Sequence, residues 1–101
     1  MIGVSVLGAT GSIGKSTLDV LSRHSDRFQV VAVTANSRVD EMAALCRRHR
    51  PRYAVMSDSG AAQRLEQVLR RDGLETAVLA GVEGLERVAS LPEVDHVMAA
   101  I

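Results

Sequence analysis

Gly8-Ala9-Thr10-Gly11-Ser12-Ile13-Gly14-Lys15-Ser16-Thr17 is the stretch whose residue types and spacing could do chemistry. It follows a short β-branched run, Val4-Ser5-Val6-Leu7, and opens a segment of helical period, so it is expected to form a strand-to-helix turn. The N-terminus of a helix exposes unpaired N–H groups and the positive end of the helix dipole. An anion is favoured there, and phosphate is the commonest.

Two motifs compete for this loop. The first is the dinucleotide fingerprint in its G-x-x-G-x-x-G variant, filled by Gly8, Gly11 and Gly14. One early glycine permits the sharp turn, another lets backbone approach a pyrophosphate, and the last lets the helix pack closely on the strand. The second is the phosphate loop of a nucleoside triphosphatase. Gly14-Lys15-Ser16 nearly completes G-x-x-x-x-G-K-[ST], with Ala9 where the first glycine belongs. Lys15 would then reach the β- and γ-phosphates and Ser16 would hold magnesium. The acidic magnesium partner is harder to find: Asp95 precedes its apolar run, and Val55-Met56-Ser57-Asp58 is the nearest substitute. The dinucleotide reading is favoured, because Gly11 is useful to it and superfluous to a phosphate loop.

The end of the second apolar run bears on which dinucleotide. Binders of NAD place an acid about 20 residues past the glycines, to accept the ribose 2′-hydroxyl. Counting on from Gly14 reaches Thr34-Ala35-Asn36-Ser37-Arg38, which holds no acid. Asn36, Ser37 and Arg38 can all donate to a 2′-phosphate, and a guanidinium matches two phosphate oxygens. NADP(H) is therefore expected. The plainer reading of Arg38 is a solvated side chain near a helix start.

The elements that must position these residues alternate along the chain. Apolar runs are expected as strands at Val4–Leu7, Phe28–Val33, Tyr53–Met56, Thr76–Leu79 and Val94–Ile101. Between them Ile13, Thr17, Val20 and Leu21, then Val39, Met42, Ala43 and Cys46, then Ala61, Leu65, Val68 and Leu69 fall at helical spacing. Val82, Leu85 and Ala89 mark a shorter fourth helix. Ser37 with Asp40 resembles a capping box, Ser57-Asp58-Ser59 offers caps, and Gly73 is placed to end the third helix. Strand–helix alternation at these lengths implies right-handed βαβ crossovers. The expected class is α/β, a Rossmann-like parallel sheet with helices on both faces.

Composition narrows the function classes. The chain has 101 residues, 47% of them apolar and 24% charged, which suits one small globular domain. Twelve basic residues balance twelve acidic ones, so neither a nucleic-acid nor a membrane-surface role is expected. No apolar run approaches the ~20 residues of a membrane span, and the N-terminus lacks the form of a signal peptide. The single cysteine, Cys46, excludes an internal disulfide and suits the reducing cytoplasm.

Four segments in order then resemble a known family. Gly8 through Val20, Phe28-Gln29-Val30-Val31-Ala32-Val33, Pro51-Arg52-Tyr53-Ala54-Val55-Met56 and Val97-Met98-Ala99-Ala100-Ile101 are similar to the N-terminal region of the 1-deoxy-D-xylulose 5-phosphate reductoisomerases. That resemblance implies reduction and isomerisation of 1-deoxy-D-xylulose 5-phosphate to 2-C-methyl-D-erythritol 4-phosphate in non-mevalonate isoprenoid synthesis. It also implies NADPH, a divalent metal (Mg or Mn), a sugar-phosphate substrate and a cytoplasmic homodimer. Carried onto this sequence, the family's cofactor contacts fall on Thr10, Gly11, Ser12 and Ile13, and its ribose-phosphate contacts on Asn36, Ser37 and Arg38. The family form of the latter segment is Gly-Lys-Asn, so Arg38 would supply the charge that the lysine supplies there. Ala100 and Ile101 resemble the strand end nearest the nicotinamide. Residues 1–101 are thus expected to be an NADPH-binding Rossmann-like domain, with metal ligands, substrate-phosphate donors and lid beyond Ile101 and no catalytic or metal residue within. The alternatives are another NADP-dependent reductase such as an aspartate-semialdehyde dehydrogenase, a stand-alone nucleotide-binding module, and the phosphate-loop domain.

The remaining polar residues have plainer readings. Cys46 lies on an apolar helix face and reads as a core thiol. Arg47, Arg48, Arg50 and Arg52 cluster where they would complement a helix C-terminus, with no aromatic residues interleaved for nucleic acid. His24, His49 and His96 fall near element ends, and Asp19 reads as a salt-bridged carboxylate.

Overall fold

A computed structural model describes residues 1–100. Strand and helix alternate as β1 (Ile2–Leu7), α1 (Ser12–Arg23), β2 (Phe28–Ala35), α2 (Val39–His49), β3 (Tyr53–Met56), α3 (Ser59–Arg71), β4 (Ala77–Ala80), α4 (Gly81–Ala89) and β5 (His96–Ala99). The strands form one sheet in the order β4-β3-β2-β1-β5, and every pairing is parallel. Successive strands step outward from β1 to β4, after which α4 carries the chain back across the sheet to the far side of β1. The direction of winding therefore reverses beside β1, between β2 and β5. In sheets of this kind ligands sit at that switch point, outside the carboxyl ends of the strands.

Two apolar layers hold the sheet. On one face Leu18 and Leu21 of α1, Met42 and Cys46 of α2, and Leu65 and Leu69 of α3 pack on Val4, Val6, Val33, Ala54 and Met56. On the other face Val88 of α4 packs on Ala32 and Val55. Each fully buried aliphatic side chain contributes about 1.5–3 kcal/mol. The Ser5 hydroxyl, buried between these layers, donates to the Val88 carbonyl at 3.0 Å and ties β1 to α4.

Several expectations change at the level of faces and ends. Of the expected stripe Ile13, Thr17, Val20 and Leu21 only Leu21 is buried: Ile13 and Val20 are 59% and 52% exposed, and α1 packs through Gly14, Leu18 and Leu21. In α4, Val82 is exposed while Gly84 and Val88 are buried. Both helices bury a glycine where a side chain would collide, Gly14 against the turn after β1 and Gly84 against the sheet. An added Cβ at Gly84 would lie 2.9 Å from Val55 Cγ1. The capping box at Ser37 and Asp40 does not form: Arg38 is the N-cap of α2, and no side chain caps that helix. Asp58 does cap α3, its carboxylate accepting from the Ala61 N–H at 2.8 Å. Gly73 ends α3 at φ 72°, with Leu74 N–H on the Leu69 carbonyl, the left-handed closure a glycine favours. β4 is shifted by one residue, to Ala77–Ala80, and the Thr76 hydroxyl before it donates to the Pro51 carbonyl at 2.7 Å. The fifth run narrows to the exposed edge strand β5, and Ile101 lies outside the described residues.

Candidate nucleotide-binding site

Gly8 takes φ 76°, which turns the chain sharply out of β1. Thr34, buried at the end of β2, fixes the turn twice: its hydroxyl accepts from the Gly8 N–H at 3.1 Å and its carbonyl from the Ala9 N–H at 2.8 Å. Gly14 then brings α1 down onto the turn. A Cβ at that position would overlap the Gly8 carbonyl oxygen and stand 2.7 Å from Ala9 Cα.

Gly11 is different. Its φ of −74° is open to any residue, and a Cβ there would meet only the Gly8 carbonyl oxygen, at 3.7 Å. Neither backbone strain nor internal packing calls for glycine. Gly11 is also the N-cap of α1, where no side-chain hydrogen bond caps the helix and no acid occupies the first turn. The leading N–H groups of α1 have no intrahelical acceptor. They open with Gly11 onto a cleft of about 660 Å³ at the carboxyl ends of β1, β2 and β3, within the ~300–1,000 Å³ usual for small-molecule sites.

Thr10, Gly11, Ser12 and Ile13 line this cleft on one side, and Asn36, Ser37 and Arg38 on the other. All seven residues singled out from sequence are brought together. Leu7, Thr34, Ser57, Leu85 and Ala100 join them from other elements. Ala100 is anchored by its N–H on the Leu7 carbonyl at 2.9 Å. Of the added residues, Ser57 makes a side-chain hydrogen bond to the predicted set, its hydroxyl donating to Asn36 Oδ1 at 2.7 Å. Arg38 lies 3.5 Å from Glu41 Oε2, and Lys15 approaches that same oxygen at 3.5 Å.

This geometry does not favour the phosphate loop. Lys15 does not line the cleft and is paired with Glu41 in α2. Asp95 sits at the opposite end of the sheet, accepting from the Gly3 N–H at 2.8 Å, and the Asp58 carboxylate is spent on the start of α3. Neither carboxylate stands where a loop-bound magnesium would need it.

The remaining polar residues serve packing and ion pairing. Cys46 is fully buried, and burial pushes its thiol up to about 12. Arg47 and Arg48 lie in the last turn of α2, as the helix-end expectation has it, and the cluster also makes ion pairs. Arg47 pairs with Asp72 at 2.8 Å, Arg48 with Asp19 at 3.0 Å and Arg52 with Glu93 at 2.8 Å, so these charges cross-link elements. Asp19 also receives Arg23, at 2.7 Å. His49 is held below the ordinary histidine range by burial and the neighbouring Arg48, with Asp19 opposing. Among the described residues no three His, Cys, Asp or Glu side chains gather as a metal site, and no helix is long and apolar enough to cross a membrane.

Comparison with known proteins decides the family. The family model for 1-deoxy-D-xylulose 5-phosphate reductoisomerase matches residues 4–101. The chain belongs to this family. It is 64% identical over 98 residues to the 1-deoxy-D-xylulose 5-phosphate reductoisomerase of Methylobacillus flagellatus, covering 97% of this chain and 24% of that protein. A crystal structure of DOX-P reductoisomerase in complex with NADPH, fosmidomycin and magnesium superposes with a TM-score of 0.94 at 40% identity, over 100% of this chain and 24% of that one. The Zymomonas mobilis reductoisomerase in complex with NADPH gives 0.89 at 41% identity, over 99% of this chain and 26% of its own. The chain thus spans about a quarter of the length of the reductoisomerases it matches. Membership disfavours the other NADP-dependent reductases and the triphosphatase reading.

Proposed function

We propose that this chain is the NADPH-binding domain of a reductoisomerase that converts 1-deoxy-D-xylulose 5-phosphate to 2-C-methyl-D-erythritol 4-phosphate in isoprenoid synthesis. One observation carries the reading. Gly11 is a glycine required by neither its dihedral angles nor its neighbours, at an uncapped helix start facing a cleft. A ligand brought against that backbone accounts for it, and the unpaired N–H groups make the ligand an anion.

The cofactor's pyrophosphate sits over Thr10, Gly11, Ser12 and Ile13, where the first turn of α1 donates to it. The 2′-phosphate of the adenine ribose is held by Asn36, Ser37 and Arg38, all donors at the end of β2. Ile13, 59% exposed at the cleft, offers apolar surface to the cofactor. NADPH supplies the hydride, while this domain contributes its orientation and the electrostatics around its phosphates.

The divalent metal ligands and the groups that hold the sugar-phosphate substrate belong to parts of the enzyme outside these residues. Solved relatives described as complexes with magnesium and with fosmidomycin support a metal and a small-molecule ligand for the whole enzyme. For the whole enzyme a cytoplasmic homodimer is proposed, as the resemblance to the family implies.

Titration of the intact protein with NADPH, NADH and Mg-ATP in parallel tests the proposal. NADPH binding several-fold tighter than NADH, with weak ATP binding, is expected. Tight magnesium-dependent ATP binding without an NADPH preference refutes it.

A further inference from the structure

The loops that follow β2 and β3 are fastened together by three hydrogen bonds. Two are between backbones: the Ser57 N–H donates to the Ala35 carbonyl at 3.0 Å, and the Asp58 N–H to the Asn36 carbonyl at 3.2 Å. These set the spacing of the loops whatever side chains they carry. The third, from the Ser57 hydroxyl to Asn36 Oδ1 at 2.7 Å, does something the other two do not. It occupies Asn36 Oδ1 and leaves Nδ2 as the free end of the amide.

An amide side chain presents an acceptor on one end and two donors on the other. A phosphate dianion only accepts, so one orientation attracts it and the other repels it. With Oδ1 engaged by Ser57, the Nδ2 group is left over, and it donates to no side chain or backbone group among the described residues. Both residues line the same cleft as Ser37 and Arg38. We propose that Ser57 is a positioning residue for cofactor choice, holding the Asn36 amide with its donors toward the 2′-phosphate of NADPH. The inference rests on the NADPH reading above and adds a residue from the loop after β3, 21 positions away in sequence. Its effect is expected on the 2′-phosphate, which NADPH carries and NADH lacks.

The test is a set of dissociation constants for NADPH and NADH, measured on the intact protein and its Ser57→Ala, Ser57→Thr and Asn36→Ala variants. Ser57→Ala is expected to weaken NADPH roughly threefold to tenfold, the worth of one net hydrogen bond. NADH binding and the melting temperature stay as they were. Ser57→Thr keeps the hydroxyl and restores the NADPH preference. Asn36→Ala reproduces the selective loss with Ser57 intact, and the double variant is no weaker than Asn36→Ala alone. The proposal is overturned by unchanged NADPH affinity in Ser57→Ala, by equal losses for both dinucleotides, or by a double variant with additive losses. If the unmodified protein shows no preference for NADPH, the cofactor reading itself has failed and this inference falls with it.

Discussion

Gly11 and Gly14 stand three residues apart in one loop, and the structure predicts opposite consequences for adding the same methyl group to each. At Gly14 the new Cβ would overlap the Gly8 carbonyl oxygen and stand 2.7 Å and 2.8 Å from backbone atoms of Ala9. No flexible side chain can yield there, so α1 must lift off the turn. Overpacking of this kind costs about 1–3 kcal/mol, which in a domain of this size lowers the melting temperature by roughly 5–20 °C. At Gly11 the only neighbour within 4 Å is 3.7 Å away, and φ of −74° suits alanine. Alanine is a poorer N-cap than glycine, but it also narrows the unfolded ensemble by about 0.4–1 kcal/mol, and the two effects nearly cancel. Gly11→Ala should therefore melt close to the parent. Its methyl group, however, fills the space a pyrophosphate needs. Displacing one charge-assisted hydrogen bond, worth about 1.5–3 kcal/mol, weakens NADPH roughly tenfold to a hundredfold. The assay pairs thermal melts with NADPH titrations on both variants. A Gly11→Ala protein that binds NADPH like the parent removes the pyrophosphate from this loop. A Gly14→Ala protein that melts like the parent removes the close approach of α1 to the Gly8–Ala9 turn.

Other perturbations separate the roles of neighbouring residues. Lys15→Ala is expected to leave NADPH affinity within about threefold, because a half-exposed ion pair is worth ~0–1 kcal/mol; collapse of nucleotide binding would revive the phosphate-loop reading. Arg38→Ala should weaken NADPH about tenfold while sparing NADH, as read by titration of both cofactors, and equal losses would place Arg38 in the scaffold instead. Asp58→Ala removes the cap of α3 and should cost about 1 kcal/mol, visible as a lower urea midpoint at unchanged slope. His49 is held below the ordinary histidine range, so the unfolded chain takes up its proton first. Stability from this site is present above the unfolded pKa of about 6.5 and is lost as pH falls through the folded one. Urea melts from neutral to mildly acid pH should show that loss, and His49→Gln should flatten it.

How much of this was legible in the residues depends on what each inference required. Alternating apolar runs and helical spacings are local properties, so five strands, four helices and the class of the sheet could be read in order. The packing face of α2 was readable as well, because Met42, Ala43 and Cys46 are themselves apolar and buried. The faces of α1 and α4 were not. Each helix buries a glycine at its closest approach, to the turn in α1 and to the sheet in α4, and a count of apolar side chains passes over a residue that has none. That left Ile13, Val20 and Val82 on the surface. The capping box failed for a related reason: the helix start depends on where the chain leaves β2, which sets Arg38 as the N-cap.

For the site, residue types and spacing in one stretch determined the loop and the ligand chemistry to expect of it, and the missing acid at the end of β2 determined which dinucleotide to expect. Both follow from chemistry within a few residues of one another. Tertiary structure alone decided which carboxylates were available, since Asp95 lies at the far end of the sheet and Asp58 is spent on a helix cap. It also decided that Lys15 turns to Glu41, and that Ser57 stands against Asn36. Such pairings are made by the order in which parallel strands lie side by side. The register of β2 against β3 brings residues 36 and 57 together, and no local pattern in either segment encodes the other.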